Sequence, residues 1–331
     1  MSEIPTIDDV RAAAKRIAGH AARTPLLSNA FLDERTGARV LLKAETLQRT
    51  GTFKFRGAYN TLAALSPAQR AGGIVAVSSG NHAQGVAEAA RLFGLAATVV
   101  MPADAPATKR ARTERSGARV VSYDREREDR DTVVAAWIAK HGGTLVHPYN
   151  DPNVIAGQGT AGLEVAADCA ALGVVPDELI IPCGGGGLAA GVGLALRHAY
   201  PSIAVTLVEP EGFDDYARSL AADTILANTA TGGSVCDALL ATSPGDIGFA
   251  INRANQATAV AVSDDEALAA VAFAFNELKL VVEPGGAAAL AALLRDRSGA
   301  YRGKTVVVML SGGNIDPAML AKALAENPWW S

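Results

Sequence analysis

A lysine set among aromatic and glycine residues is the first candidate for chemistry in this sequence. Lys54 lies between Phe53 and Phe55, and Gly51 and Gly57 flank that triplet. Partial desolvation by the two rings would lower the pKa of the amine and favour its neutral form. A neutral amine attacks carbonyl groups and forms Schiff bases, but a lysine that only lays its stem on apolar neighbours has the same local sequence. Lys54 alone therefore leaves both interpretations open.

Four consecutive glycines form the second candidate. Gly184, Gly185, Gly186 and Gly187 follow a predicted strand and precede a predicted helix. Backbone N–H groups that carry no side chains can curl around an oxyanion at a helix N-terminus, so we predict a phosphate site here. The run is neither a Walker loop, which needs Gly-Lys-Ser/Thr, nor a spaced GxGxxG motif. A flexible turn is the alternative, although such a turn rarely needs four glycines.

Two other segments place small polar residues at the end of a predicted strand. The first, in which N–H and hydroxyl groups could hold a substrate carboxylate, consists of Ser78, Ser79, Gly80, Asn81 and His82. The second begins at Ser311 and ends at Asn314, directly after the last predicted strand. A helix cap or a plain turn explains either segment when it is taken alone. Three anion-binding segments and a loop lysine in one chain are harder to explain in that way.

Alternating periodicities place these segments at one edge of a sheet. From residue 73 onwards, short apolar strands alternate with helical patterns, which predicts parallel sheet covered on both faces. The carboxyl ends of parallel strands meet at one edge, where ligands of α/β proteins bind. Between residues 224 and 248 the pattern weakens, and we interpret this stretch as an irregular, substrate-side loop.

Composition narrows the classes of partner. The 331 residues are 49% hydrophobic and carry 30 basic and 34 acidic side chains, for a formal net charge of −4. Without a basic stripe or a long apolar run, nucleic acid and membranes are not expected as partners, and small molecules remain. The N-terminus has no signal or transit pattern, so we expect a cytoplasmic protein. Cys169, Cys183 and Cys236 are widely spaced and fit neither a disulfide framework nor a zinc site.

Five motifs, taken in order, resemble those of the serine/threonine dehydratase and serine racemase family, whose members are fold-type II pyridoxal phosphate (PLP) enzymes. The motifs are Thr52-Phe53-Lys54, Ser79-Gly80-Asn81-His82, Gly184 to Gly187, Glu283-Pro284 and Ser311-Gly312-Gly313-Asn314. The resemblance implies a tryptophan synthase β-like α/β fold in two lobes, each with a twisted, mostly parallel sheet flanked by helices. It also implies a large PLP-binding domain (residues 1–72 and 151–331) and a small mobile substrate domain (residues 73–150).

The same resemblance implies roles for individual residues. Lys54 would bind PLP as a Schiff base, and Ser79 would act from the opposite face of the cofactor as a second catalytic residue. The cofactor-binding residues would be Phe53, Lys54, Asn81 at the ring hydroxyl, Gly184, Gly185, Gly186, Gly187, Glu283, and Ser311 at the pyridine nitrogen. The substrate-binding residues would be Ser78, Ser79, Gly80, Asn81, His82 and Arg130.

The resemblance further implies a divalent-cation site. Its ligands would be Glu209, Asp215 and the backbone oxygen of Phe213. Oxygen ligands of this kind suit Mg²⁺, or alternatively Ca²⁺ or Mn²⁺. A surface acidic turn is the other interpretation of these residues. A homodimer is the assembly that the resemblance suggests.

A serine facing the pyridine nitrogen has a chemical consequence. A hydroxyl such as that of Ser311 cannot keep this nitrogen protonated, so the ring would be a weaker electron sink. We therefore expect α,β-elimination from a β-hydroxy amino acid of the L-threonine or L-serine type, which yields a 2-oxo acid and ammonia. Because Ser79 offers a second proton donor, racemisation of serine or a related amino acid is the alternative.

The segment from Thr231 to Ala241 departs from the Thr-Ile-Ala-Asp-Gly pattern that is usual in the family. A bulkier or more acidic substrate, such as 3-hydroxyaspartate or a hydroxyectoine breakdown product, is therefore a further alternative. A non-catalytic amino-acid-binding protein is a hypothesis of another class. The presence of both Lys54 and the four glycines argues against it.

Overall fold

The structure, a computed structural model, describes residues 3–78, 80–105, 107–124, 127–230 and 232–327. Its strands are β1 (Leu26–Leu27), β2 (Arg39–Ala44), β3 (Ile74–Val77), β4 (Ala97–Pro102), β5 (Arg119–Tyr123), β6 (Thr144–Val146), β7 (Glu178–Pro182), β8 (Ala204–Pro210), β9 (Thr258–Val262) and β10 (Thr305–Leu310). Its α-helices are α1 (Ile7–Ile17), α2 (Ala30–Thr36), α3 (Lys54–Ala64), α4 (Pro67–Ala71), α5 (Asn81–Phe93), α6 (Ala107–Arg115), α7 (Arg130–His141), α8 (Pro152–Ala171), α9 (Gly187–Ala199), α10 (Asp215–Ala222), α11 (Asp246–Ala254), α12 (Asp264–Phe273), α13 (Pro284–Leu294) and α14 (Pro317–Glu326).

The strands form two sheets. The larger sheet has the order β1-β2-β10-β7-β8-β9, and the smaller one has the order β5-β4-β3-β6. All neighbouring strands in both sheets are parallel except β1, which is antiparallel to β2. The predicted fold, with two mostly parallel sheets flanked by helices, is confirmed.

The central strands of the larger sheet are buried on both faces. Along β10, Val306 and Val308 belong to an apolar cluster that includes the side chains of α13. Val307 and Met309 point the other way, into a cluster that includes the side chains of α9. Because its side chains alternate in this way, β10 lies between two apolar cores. Ser311 follows the strand directly and therefore lies at the carboxyl edge of the sheet.

Helix α3, which begins at Lys54, is held from two sides. Its apolar face, with Phe55 and Leu62, joins the core of the smaller sheet. On its other side the fully buried Arg56 pairs with Glu45 at 2.8 Å and with Glu164 at 2.7 Å. Removing one partner of such a buried pair typically costs about 3–5 kcal/mol of stability. The position of Lys54 is therefore tied to both sheets.

Short elements are where the sequence-based assignment fails. The edge strand β9 and the helices α2, α4, α10 and α11 were not predicted. Between α10 and α11, the stretch expected to be irregular has a 3₁₀ turn, Asp237–Leu239. The strands of the smaller sheet all lie within residues 73–150, but α3 packs on that sheet from outside this range, and the domain boundaries remain predictions.

Two properties of the described residues concern membrane-spanning helices and disulfide bonds. None of their helices is long and apolar enough to cross a membrane. Cys169, Cys183 and Cys236 are all buried and are not joined in disulfides.

Candidate active site

Lys54 lines a cavity of about 570 Å³ that lies between the two sheets. Its Nζ donates a hydrogen bond to the backbone oxygen of Pro148 at 2.6 Å and lies 5.2 Å from the centre of the Phe53 ring. Burial lowers the pKa of Lys54 to about 8, because an ammonium group loses hydration inside the protein. The lysine can therefore supply a neutral amine much closer to neutral pH than a surface lysine can.

The four glycines connect β7 to α9, and their surroundings leave no room for side chains. A Cβ atom on Gly185 would lie 2.3 Å from the ring of Tyr149, and one on Gly186 would lie 1.7 Å from the hydroxyl of Tyr216. Gly186 also has a φ of 88°, which disfavours other residues. The result is a cradle of bare backbone at the N-terminus of α9, where helix N–H groups stabilise a phosphate.

The loop after β3 borders the cavity from the smaller sheet. The backbone N–H of Gly80 donates to the Ser78 hydroxyl at 3.0 Å, directly before α5 begins at Asn81. The Nε2 of His82 donates to the Val146 carbonyl at 2.9 Å, and burial lowers the pKa of His82 to about 3, so that the imidazole is neutral. Ser79, the predicted second catalytic residue, lies outside the described residues.

Three predicted cofactor residues from separate elements line the same cavity. The Nδ2 of Asn81 donates to Oε1 of Glu283 at 2.5 Å. Burial raises the pKa of Glu283 to about 7, and the nearby charge of Lys109 opposes the rise. Ser311 follows β10 and is 5% exposed. Residues far apart in the sequence are thus brought together, as the strand-end argument predicts.

Arg130 reaches the cavity from the first turn of α7. Its Nε donates to Oδ1 of the adjacent Asp131 at 3.1 Å, and 36% of its side chain is exposed. The guanidinium has further N–H groups beyond the one bound to Asp131. It is therefore placed to bind an anionic group that enters the cavity from solvent.

The cavity residues that the sequence analysis missed include Lys109, Tyr149 and Asp237. Lys109 of α6 forms an ion pair with Asp237 of the 3₁₀ turn, and Tyr149 packs its ring against Gly185. Tyr149 follows β6, so the strand-end rule applied to the other segments would have found it. The pair between Lys109 and Asp237 joins positions 128 apart in the chain and has no local signal.

Glu209 lies on β8 and Asp215 is the first residue of α10, and the carboxylate of Glu209 reaches the N-terminus of that helix. Glu209 accepts hydrogen bonds from the backbone N–H groups of Tyr216 at 2.8 Å and Ala217 at 2.9 Å. Oδ1 of Asp215 accepts from Asn228 at 2.6 Å, while its buried Oδ2 has no hydrogen-bond partner among the described residues. Burial raises the pKa of Glu209 to about 8 and that of Asp215 to about 6.

Side chains alone do not complete that site. No group of three or more His, Cys, Asp or Glu residues in the part of the chain that the structure describes could hold a metal ion. Two carboxylates would need backbone oxygen and water as additional ligands. The cation therefore stays a prediction.

The two-sheet fold, the desolvated lysine and the glycine cradle define the class of protein. The sequence model of the family "Pyridoxal-phosphate dependent enzyme" matches residues 17–312, and the chain belongs to this family. The predicted family and fold, and PLP as the cofactor, are thereby confirmed. The roles of individual site residues stay predictions.

Named relatives give a narrower range of chemistry. L-threo-3-hydroxyaspartate ammonia-lyase from Pseudomonas sp is 43% identical over 322 residues, which cover 97% of this chain and 99% of that protein. The crystal structure of threonine deaminase from T.th. covers 94% of this chain and 99% of its own, with a TM-score of 0.88 and 45% identity. The structure of maize serine racemase has a TM-score of 0.91 and 35% identity and covers 98% of each chain.

Proposed function

We propose that this protein is a PLP-dependent ammonia-lyase that converts a β-hydroxy amino acid to a 2-oxo acid and ammonia, with 3-hydroxyaspartate as its preferred substrate. The observation that carries the proposal is the position of the Lys54 amine, whose pKa burial lowers to about 8, in one cavity with the glycine cradle. The similarity to the Pseudomonas ammonia-lyase over nearly the whole of both chains supports the reaction type and the acidic substrate.

The cavity residues fit PLP. The cradle at Gly184–Gly187 has the bare backbone that a phosphate needs, and it would hold that group at the start of α9. Lys54 would bind the carbonyl carbon of the cofactor, Asn81 its ring hydroxyl and Ser311 its pyridine nitrogen. Bound PLP supplies the electron-withdrawing ring that acidifies the substrate Cα–H.

The protein's own groups would handle binding and protons. N–H and hydroxyl groups of the loop from Ser78 to Asn81 would hold the substrate α-carboxylate at the start of α5. The Lys54 amine would take the proton from Cα, a task for which a pKa near 8 is suitable. His82 would support this loop without exchanging protons, since it is neutral and bound to Val146.

The acidic substrate needs a cation for its second carboxylate, and we assign this role to Arg130. The experiment is a panel of β-hydroxy amino acids, assayed for release of 2-oxo acid by the wild type and by Arg130→Ala. We expect kcat/KM for 3-hydroxyaspartate to fall by about 10- to 100-fold, the worth of a charged hydrogen bond, while kcat/KM for L-threonine changes little.

Arg127→Ala is the matched control, because the Arg127 side chain is 84% exposed and lies outside the cavity lining. It should leave both activities unchanged. Equal losses on both substrates in Arg130→Ala would refute the assignment of the distal carboxylate. A wild-type enzyme that prefers L-threonine or L-serine would refute the proposed substrate while leaving the lyase reaction in place.

Racemisation is a second candidate activity, favoured by the similarity to maize serine racemase along 98% of each chain. It requires a proton donor on the face of the substrate carbanion opposite Lys54, and Ser79 is the residue that we propose for it. Assays of both enantiomers of serine and of the preferred substrate separate the two activities.

We also propose that Glu209, Asp215 and the Phe213 carbonyl bind a divalent cation, Mg²⁺ being the first choice. The buried Oδ2 of Asp215, which has no hydrogen-bond partner in the part of the chain that the structure describes, supports this proposal, since a cation would satisfy it. A homodimer, and a small domain spanning residues 73–150 that moves on substrate binding, complete the proposal. Sedimentation and scattering with and without substrate test these two points.

A further inference from the structure

A row of polar side chains runs from the surface of α6 to Asn81 and Glu283, which line the cavity. Arg112 donates to Oδ1 of Asn314 at 2.8 Å. Nδ2 of Asn314 donates to Oδ1 of Asn81 at 2.9 Å and to the backbone oxygen of Thr50 at 2.9 Å. Asn81 in turn donates to Glu283 at 2.5 Å. The row therefore connects an exposed arginine to a buried carboxylate through two amides.

The two ends of the row determine how both amides are oriented. A guanidinium can only donate hydrogen bonds, and an ionised carboxylate can only accept them. Arg112 therefore selects the oxygen of Asn314 and turns its NH₂ group towards Asn81. Above its pKa of about 7, Glu283 is ionised and selects the NH₂ group of Asn81 from the other end. Flipping either amide would place two donors or two acceptors against each other.

Burial raises the free-energy cost of any other orientation of the two amides. Asn81, Glu283 and Asn314 are 8%, 2% and 9% exposed, so water offers little compensation for a mismatched pair. A Cβ atom on Gly51 would lie 2.7 Å from Oδ1 of Asn314, so the chain passes close beside this amide. Thr50, whose carbonyl Asn314 binds, has a φ of 65°, a strained value for a β-branched residue.

The consequence concerns what Asn81 presents to the cavity. One N–H of its amide is bound to Glu283 and its oxygen is bound to Asn314. This leaves the second N–H for an acceptor in the cavity. We propose that Asn314 is a positioning residue that acts through Asn81, so that Asn81 offers an N–H, and not its carbonyl, to the ring hydroxyl oxygen of PLP. The inference rests on the proposed cofactor role of Asn81.

The decisive variant is Asn314→Asp, which has nearly the same shape but cannot donate to Asn81. We expect the dissociation constant for PLP, measured on the full chain by titration of the visible absorption of bound cofactor, to rise about tenfold, the worth of one buried hydrogen bond. The pH at which that absorption changes should shift as well, because the environment of the ring hydroxyl changes. A purely structural role would move the melting temperature of the PLP-free protein and leave both cofactor readouts unchanged.

Arg112 supplies a second pair of variants, which remain informative if Asn314→Asp does not fold. Arg112 is exposed, so its replacement should not unfold the protein. Arg112→Lys keeps a donor for Oδ1 of Asn314 and should preserve the PLP affinity. Arg112→Met lacks the donor and should weaken PLP binding, by less than Asn314→Asp does. Equal affinities of the Lys and Met variants would refute the role of Arg112 in orienting the amides.

A double-mutant cycle tests whether Asn314 works through Asn81. Asn81→Ala should weaken PLP binding, and adding Asn314→Asp to it should cause no further loss. Full additivity, or wild-type affinity in Asn314→Asp, would overturn the inference. If Asn81→Ala binds PLP as the wild type does, the proposed cofactor role of Asn81 itself fails, and this outcome is distinct from a failure of Asn314 alone.

Discussion

The two sides of the cavity are built from different material. On the side of the larger sheet the lining includes the bare backbone of Gly184–Gly187, and a Cβ atom on Gly185 or Gly186 would collide with an aromatic side chain. On the side of the smaller sheet the lining includes Arg130 and Lys109, each held by an ion pair to a carboxylate. Closely packed backbone suits a ligand whose structure is always the same, whereas long charged side chains can adjust to ligands of different structure. We interpret the first side as the cofactor side, to which the smaller sheet adds Asn81, and the second as the substrate side.

The largest effect is expected at Lys54, which would act on both the cofactor and the substrate. Lys54→Ala should abolish release of 2-oxo acid and the visible absorption of covalently bound PLP, because the amine that binds the cofactor and takes the Cα proton is lost. The melting temperature should show that the fold survives. Lys140→Ala, at an exposed position of α7, is the control and should retain full activity. Turnover near the wild-type rate in Lys54→Ala would exclude the proposed chemistry.

A change on the cofactor side should be nearly as damaging. Gly185→Ala places a Cβ atom 2.3 Å from the Tyr149 ring, and overpacking of this kind typically lowers the free energy of unfolding by about 1–3 kcal/mol. We expect weaker PLP binding as the cradle shifts, measured by titration. Gly232→Ala, at a position with no atom within 4 Å of the added Cβ, is the matched control.

A second substitution that removes the clash tests whether the clash causes the loss of PLP affinity. Tyr149→Ala combined with Gly185→Ala removes the ring that the new methyl group meets, so part of the lost PLP affinity should return. If Gly185→Ala binds PLP as tightly as the wild type, the cofactor side tolerates side chains. The contrast between the two sides would then be wrong.

Ser79, a proposed catalytic residue, provides a test that affects one reaction and spares another. A proton can reach a planar carbanion from Lys54 on one face only, so inversion at Cα needs a donor on the other face. Ser79→Ala should abolish any racemisation, yet keep elimination from L-substrates within the roughly 10²–10⁴-fold range that loss of one acid–base group costs. Chiral analysis of the remaining substrate measures both. Unchanged interconversion of enantiomers would show that Ser79 is not the second donor.

The smallest effect is expected away from both sides, at Glu209 and Asp215. A cation that binds only the folded protein stabilises it by about 2.7 kcal/mol when present at 100 times its dissociation constant. Chelation should therefore lower the melting temperature of the wild type by a few degrees and should not affect Asp215→Asn. Elemental analysis identifies the ion. Identical melting curves with and without chelator, together with an absence of bound metal, would remove the cation from the proposal.

The sequence predicts the strand ends well because each one is a local pattern. The glycines at 184–187 and the polar residues at 78–82 each follow a short apolar run, and parallel topology brings such runs together at one edge. The pattern also predicts a helix from Gly57 to Leu65 with Lys54 just before it, whereas the helix already begins at Lys54. For the strand ends, the arrangement follows from periodicity alone.

The sequence does not predict which residues contact each other when they are far apart in the chain. The pair between Lys109 and Asp237, and the amide contact between Asn81 and Asn314, depend on how α5 and α6, which belong to the smaller sheet, face the loops of the larger sheet. No local pattern encodes that placement. The edge strand β9 was missed for a related reason, because its five residues are mostly half-buried and gain their strand conformation from pairing with β8.

Cys183 lies directly before Gly184 and is 1% exposed, and burial raises the pKa of its thiol well above the usual value. A thiol in this state reacts with alkylating reagents only when the surrounding segment opens, so its labelling rate reports how often the cradle exposes itself to solvent. Because PLP bound in the cradle would oppose opening, the same rate, measured as PLP is added, converts cofactor occupancy into a kinetic signal. Cys183 is thus a native probe for opening of the segment beside the glycines, and no probe has to be introduced.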